Sequence, residues 1–182
     1  MIFMKPPSAF ITENQDLIIP TEWDELHHEI ELGVVIDKKC KNISSEEGLS
    51  NVGGYVLALD MTARKIQDEL KKQAHPWLLA KGFDCSCPIG EFIPKENLSK
   101  VDNINLWLKV NGQMKQNGNT KDMIFSVGNL ISYISKYITL EYGDLILTGT
   151  PSGVGPVKRG DQIEAGLKSD GVDYTMKFNV KS

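Results

Sequence analysis

The chain has 182 residues, of which 41% are hydrophobic and 24% charged, with a net charge of −4 and a pI near 5.4. This is the size and balance of one globular domain with a sizeable core; the acidic balance excludes the electrostatic footprint of a nucleic-acid or anionic-membrane binder, and no apolar run nears the roughly 20 residues of a membrane helix. The N-terminus, with Lys5, Pro6 and Pro7, reads neither as a signal nor as a transit peptide. Cys40, Cys85 and Cys87 are odd in number and lack the spacing of zinc or redox motifs, so they read as free thiols in a reducing compartment.

Residues 1–25 read as extended and irregular, because Pro6, Pro7 and Pro20 break any helix. Apolar, β-branched runs predict strands over 29–37 and 54–60. Thr62 reads as the cap of a helix whose apolar positions are Ala63, Ile66, Leu70 and Ala74, ended by Pro76. Residues 82–100 read as loop with short strands. The run 106–110 then meets Asn111-Gly112, the strongest short hairpin signal. Val127, Leu130, Ile131, Ile134 and Ile138 fall on one face of a helix over 127–138, with Ser126 as its N-cap. Tyr142-Gly143-Asp144 turns into a short buried strand, and a Gly-rich loop covers 148–156. Gly143-Asp144 is echoed by Gly160-Asp161, which two turns of similar geometry explain without a duplication. Tyr174, Met176, Phe178 and Val180 alternate with polar residues as in a half-buried strand. Strands outnumber helices and come in hairpins, so the expected fold is α+β, predominantly β and mainly antiparallel, with a few peripheral helices in a single domain over 1–182.

Glu29 and Glu31 lie one residue apart in a strand-forming stretch and so project from one face. Asp60 ends the second strand run. Three gathered carboxylates repel one another unless a cation stands between them, and oxygen-only ligands suit a hard divalent ion, Mg²⁺ or Mn²⁺. The bland alternative for a bare Glu-x-Glu is the polar face of an exposed strand. The Gly-rich loop lacks the Lys-Ser/Thr ending of a phosphate loop, which argues against nucleotide binding.

Several motifs in order resemble the fumarylacetoacetate hydrolase family over essentially the whole chain. They are His28-Glu29-Ile30-Glu31-Leu32-Gly33, Val52-Gly53-Gly54-Tyr55, Leu59-Asp60-Met61-Thr62-Ala63-Arg64, Met123-Ile124-Phe125-Ser126 and the stretch from Gly143 to Gly155. The resemblance, to the small acylpyruvase and oxaloacetate decarboxylase type, implies a β-roll or sandwich, usually a homodimer, holding Mg²⁺ or Mn²⁺ on Glu29, Glu31 and Asp60. It implies a 2-keto acid substrate that chelates the ion, and C–C bond cleavage by acylpyruvate hydrolysis or oxaloacetate decarboxylation, with oxaloacetate tautomerisation as a further activity of the family. Arg64, Gln67 and Thr150 match substrate-binding positions and Lys81 a catalytic cation, although an arbitrary Arg or Lys is more often a solvated surface residue.

The pattern fails at one point. Family members of this type carry a further N-terminal segment with a His and a Glu that activate water, and the sequence given starts after it, so the domain is expected to be N-terminally truncated. His27, His28 and His75 are not positional substitutes and read as structural or surface residues. Hydrolysis is expected to suffer more than decarboxylation, which needs no activated water. Two other readings stay open: a catalytically impaired homologue or subunit that binds metal and 2-keto acids, and a hydroxymuconate-type isomerase. The resemblance places the chain in mitochondria or the cytoplasm.

Overall fold

The computed structural model describes residues 2–169 and 171–182. In chain order the strands are β1 (Phe10–Ile11), β2 (Leu17–Ile18), β3 (Leu26–His28), β4 (Ile30–Ile36), β5 (Val52–Leu59), β6 (Cys87–Pro88), β7 (Ile93–Pro94), β8 (Asn105–Val110), β9 (Gln113–Asn119), β10 (Leu145–Leu147), β11 (Gly155–Val157), β12 (Gln162–Ser169) and β13 (Val172–Lys181). The helices are α1 (Ser45–Ser50), α2 (Arg64–Lys72), α3 (Leu78–Lys81) and α4 (Val127–Tyr137). No described helix is long and apolar enough to cross a membrane.

Two sheets dominate. One has the order β10-β4-β5-β7 and the other β2-β13-β12-β8-β9. Pairings within them are antiparallel except β2 with β13, which run parallel and join Leu17–Ile18 to Val180–Lys181. β5 packs on β12 and β13, and β4 on β8, so the sheets share one core. Leu32, Leu57, Leu59, Leu108, Ile163, Ala165 and Phe178 are buried there. β4 and β5 are covered on both faces and read as continuous apolar runs, whereas β13 keeps Met176, Phe178 and Val180 inside and the intervening polar residues exposed. The α+β, predominantly β architecture is the expected one.

Local signals explain several elements. Asn111 and Gly112 both have positive φ, 50° and 77°, as the tight turn between right-twisted strands requires. Ser126 caps α4 by accepting a hydrogen bond from the Asn129 N–H at 3.3 Å. The Gly-Asp echo is a repeated turn. Asp144 accepts from the Glu141 N–H and Asp161 from the Lys158 N–H, each at 2.8 Å, and Gly143 and Gly160 both have positive φ.

Three expectations need correction. The strand expected over 29–37 is β4 over Ile30–Ile36, and Glu29 stands just outside it, at the break that separates β3 from β4. Thr62 does not cap α2, whose N-cap is Ala63 without a side-chain hydrogen bond, because the Thr62 hydroxyl is already engaged inside the site described below. Ala74 is exposed rather than on a buried helical face. It takes a left-handed φ of 55°, and α2 ends at Lys72, before Pro76.

Candidate metal centre

The β4–β5 ladder pairs Ile30 with Leu59 and Glu31 with Ala58. Its next step places Glu29 opposite Asp60, joined by the Asp60 N–H donating to Glu29 O at 2.8 Å. Period-2 alternation puts Glu31 on the face of Glu29, and cross-strand pairing puts Asp60 beside it. One oxygen from each of the three carboxylates therefore lies within 4.8 Å of the others, and all three residues are buried.

Cations surround the trio. Lys81, the last residue of α3, is 2% exposed. Its ammonium donates to Glu29 Oε2 at 2.9 Å, Asp60 Oδ2 at 2.6 Å and Thr62 Oγ1 at 2.6 Å. Arg64, on the first turn of α2, reaches Glu29 Oε1 and Gln67 Oε1. Its neighbour Gln67 is buried, so the two residues three apart share the inward side of the helix. Lys5 comes from the irregular N-terminal segment. Its ammonium lies 2.8 Å from Asp60 Oδ1, donates to Met61 O at 3.2 Å and Ser86 O at 2.9 Å, and also reaches Lys81 O.

The charges act on one another. Burial works against the Glu29 anion, but Lys81 and Arg64 more than offset it and hold its carboxyl below the usual range. Glu31 has no such ion-pair partner among the described residues: its Oε2 accepts from the Gly149 N–H at 2.6 Å, yet burial, then Asp60 and Glu29, push it up to about 8. Burial lowers Lys5, with Asp60 opposing. Asp60 Oδ1 is buried without an aligned hydrogen bond, despite its ion pair with Lys5. A crowded acid that holds its proton and a carboxylate oxygen lacking an aligned donor are what an all-oxygen divalent-cation site leaves when protein groups alone must balance it, so the residues fit Mg²⁺ or Mn²⁺.

The Gly-rich loop closes one side. Thr150 donates its hydroxyl proton to Ile30 O at 2.8 Å, so a carboxylate cannot use that proton. The Thr150 N–H finds no acceptor among the described residues and stays available. A cavity of about 500 Å³ adjoins Gly149 and Thr150 and is also lined by Asn117, Asn119, Phe125 and Leu130. The sequence-predicted Glu29, Glu31, Asp60, Arg64, Gln67 and Lys81 thus meet in one place, with Thr150 at its edge. His27 is half-buried beside Glu25, and His28 is turned to Gln116, as structural histidines. Sequence reasoning missed Lys5, Thr62 and Gln116. None carries a local signal, since each acts on partners distant in sequence.

The model of the Fumarylacetoacetate (FAA) hydrolase C-terminal family matches residues 1–174. The chain belongs to the fumarylacetoacetate hydrolase family, and the acid-lined end of its β4–β5 ladder is where the family resemblance placed the metal. Among individual proteins, it is 51% identical over 181 residues to the bovine (Bos taurus) mitochondrial oxaloacetate tautomerase FAHD1, covering 100% of this chain and 80% of the relative. It is 50% identical over 179 residues to the mitochondrial oxaloacetate decarboxylase of Dictyostelium discoideum, covering 98% of this chain and 81% of the relative. The crystal structure of fumarylpyruvate hydrolase from Pseudomonas aeruginosa in complex with Mn²⁺ and pyruvate superposes with a TM-score of 0.91 at 33% identity, covering 98% of this chain and 77% of that one. A complex with both a divalent metal and a small keto acid is therefore known for a structural neighbour.

Proposed function

We propose that this protein is a Mg²⁺- or Mn²⁺-dependent enzyme acting on 2-keto acids, with oxaloacetate decarboxylation as the leading reaction. One observation carries the reading: three buried carboxylates interleaved with three cationic side chains. With all three acids ionised, Lys5, Arg64 and Lys81 balance them one for one. A divalent ion leaves an excess of two positive charges, which a dicarboxylate such as oxaloacetate matches. Glu29, Glu31 and Asp60 would hold the ion. When bound, it supplies Lewis acidity that draws electrons toward the keto oxygen of the substrate.

The chain's own groups do the rest. Arg64 and Gln67 orient the substrate, and the Thr150 N–H receives its carboxylate. The bond from the β-carbon to the departing carboxylate breaks, its electron pair moves into the enolate of pyruvate, and carbon dioxide leaves. The Lys81 ammonium stands where that negative charge grows and is preorganised by Thr62. No activated water is needed for this step. Acylpyruvate hydrolysis needs a water-activating base in addition to these groups. Oxaloacetate tautomerisation is the second reading, favoured by the name of the bovine relative, and uses the same chelated substrate. The relatives' mitochondrial names favour the mitochondrion over the cytoplasm.

The test is pyruvate release from oxaloacetate and from acetylpyruvate, with keto–enol exchange of oxaloacetate followed in parallel, in Mg²⁺, Mn²⁺ and chelator against metal-only controls. Metal-dependent pyruvate release from oxaloacetate above the control is expected. Its absence, with keto–enol exchange present, selects tautomerisation. Full turnover by Glu29→Ala overturns the assigned site.

A further inference from the structure

Gln116, on β9, is 1% exposed and lies outside the carboxylate cluster. A primary amide has two donor hydrogens and two principal acceptor positions, and this one uses all four. Its Oε1 accepts from the Ile30 N–H at 3.1 Å and faces His28 Nδ1 at 2.8 Å. Its Nε2 donates to Thr150 Oγ1 at 2.8 Å and to Pro151 O at 2.9 Å. The orientation of the amide is dictated, since a backbone N–H requires the oxygen and a backbone carbonyl requires the nitrogen. His28 Nδ1 must then be the donor toward Gln116. The neutral ring carries its proton there, leaving Nε2 as a buried acceptor without a partner.

The backbone gives independent support. The Gly-rich loop lies on β9 without clearance. A Cβ at Gly118 would stand 2.5 Å from Pro151 Cβ, and one at Gly153, where φ is 100°, would stand 2.1 Å from Lys115 O. β9 is thus the seat of the loop, and Gln116 is the polar pin through it. The carboxylate strand does not need this pin beyond Ile30, because β5 holds one edge along its length and β10 holds the other at Gly33–Val35. The loop does. From it come the Gly149 N–H on Glu31 and the free Thr150 N–H.

We propose that Gln116 is a positioning residue: it locks the Gly149–Thr150–Pro151 turn onto the carboxylate strand, aims the Thr150 N–H at the substrate carboxylate, and fixes His28 as the Nδ1–H tautomer. The reaction it serves rests on the 2-keto acid reading above. The geometry of the turn and the tautomer do not.

Two variants test it. Gln116→Met removes all four hydrogen bonds at similar volume. Gln116→Glu keeps the oxygen facing Ile30 and His28 but loses both donors to the loop. Mn²⁺ affinity is expected to stay near wild type in both, while kcat/KM for oxaloacetate falls by about 10–100-fold, the usual range for outer-shell support. Exchange of the Gly149 amide should accelerate in both, that of the Ile30 amide in Gln116→Met alone, with the amides of β5 and of β4 beyond Ile30 unchanged. Nitrogen NMR should show His28 with Nδ1 protonated in wild type and Gln116→Glu, and a mixed or Nε2–H tautomer in Gln116→Met. Unchanged kcat/KM and unchanged Gly149 exchange in both variants overturn the proposal, as does acceleration spread evenly over the sheet. If Gln116→Met does not fold, Gln116→Glu decides. If wild type neither binds Mn²⁺ nor turns over oxaloacetate, the functional reading fails, and Gly149 exchange with the His28 tautomer still judges Gln116.

Discussion

Replacing Lys81 with Met separates its two jobs, balancing the acids and serving the reaction. In the metal-free protein its ammonium is the only group bonded to both Glu29 and Asp60 among the described residues, and all three side chains are buried. Removing one partner from such a buried cluster typically costs about 3–5 kcal/mol. For a domain of this length each kcal/mol moves the melting temperature by about 2–4 °C. Lys81→Met should therefore melt roughly 6–20 °C below wild type in chelator, taking the two ranges together. A divalent ion replaces the missing charge. At a hundredfold excess over Kd it returns about 2.7 kcal/mol by mass action, and the variant should bind it more tightly because no ammonium competes. Thermal melts of both proteins in EDTA and in Mn²⁺, alongside pyruvate release, make the assay. The expected result is a variant that is fragile without metal, disproportionately rescued by it, and inactive. Equal melting of the two proteins in chelator, or equal gains in Mn²⁺, refutes the charge-balance reasoning.

The pH dependence follows from Glu31. A carboxyl pushed up to about 8 in the folded state stabilises the fold fully below its ordinary value of 4.5, and that contribution is lost as pH rises through the folded value. In chelator, wild type should lose more stability than Glu31→Gln between pH 6 and pH 8.5, conditions chosen on either side of about 8; parallel melting profiles of the two proteins contradict this. Burial pushes the Cys87 thiol up to about 12, so iodoacetamide at pH 8, an ordinary alkylation condition, should leave it unmodified in the folded protein and label it after unfolding, as read by peptide mass spectrometry. Ser44 and Glu47 form a reciprocal capping box on α1, remote from the carboxylates. Ser44→Ala should cost about 1 kcal/mol and lower the melting temperature by about 2–4 °C without changing turnover, and a turnover defect contradicts the separation of helix and site.

What could be read in the sequence was what depends on near neighbours. The Glu29–Glu31 spacing, the Asn111-Gly112 turn and the Ser126 cap are set by residues within a few positions, and the structure has them as expected. Asp60 was legible because it ends an apolar run that pairs with the strand following Glu29. Lys5 was not, since a lysine in a Pro-broken segment looks like any surface lysine until Asp60 and the carbonyls of Met61, Lys81 and Ser86 converge on it. Thr62 shows the reverse error. Its position before a helix suggests a cap, but a hydroxyl with a buried ammonium 2.6 Å away is better used there than on the helix N-terminus. Gln116 sits in the polar run Gln113–Asn119, where nothing local marks it as the buried residue; the shift in register between Leu108 and Lys109 alters the pairing just before it.

The parallel pairing of β2 with β13 bears on how the chain acquires its shape. β2 joins its sheet only through β13, so the early segment that leads on from Lys5 has no place in that sheet until Val172–Lys181 has emerged from the ribosome. Closure of this kind joins residues near opposite ends of the sequence, which is slow, because the chain must bring them together before any contact repays the lost freedom. The sheet therefore cannot be completed before β13 is available. Until then the chain exposes β12 without its partner, an edge that holdase chaperones or neighbouring chains can pair with.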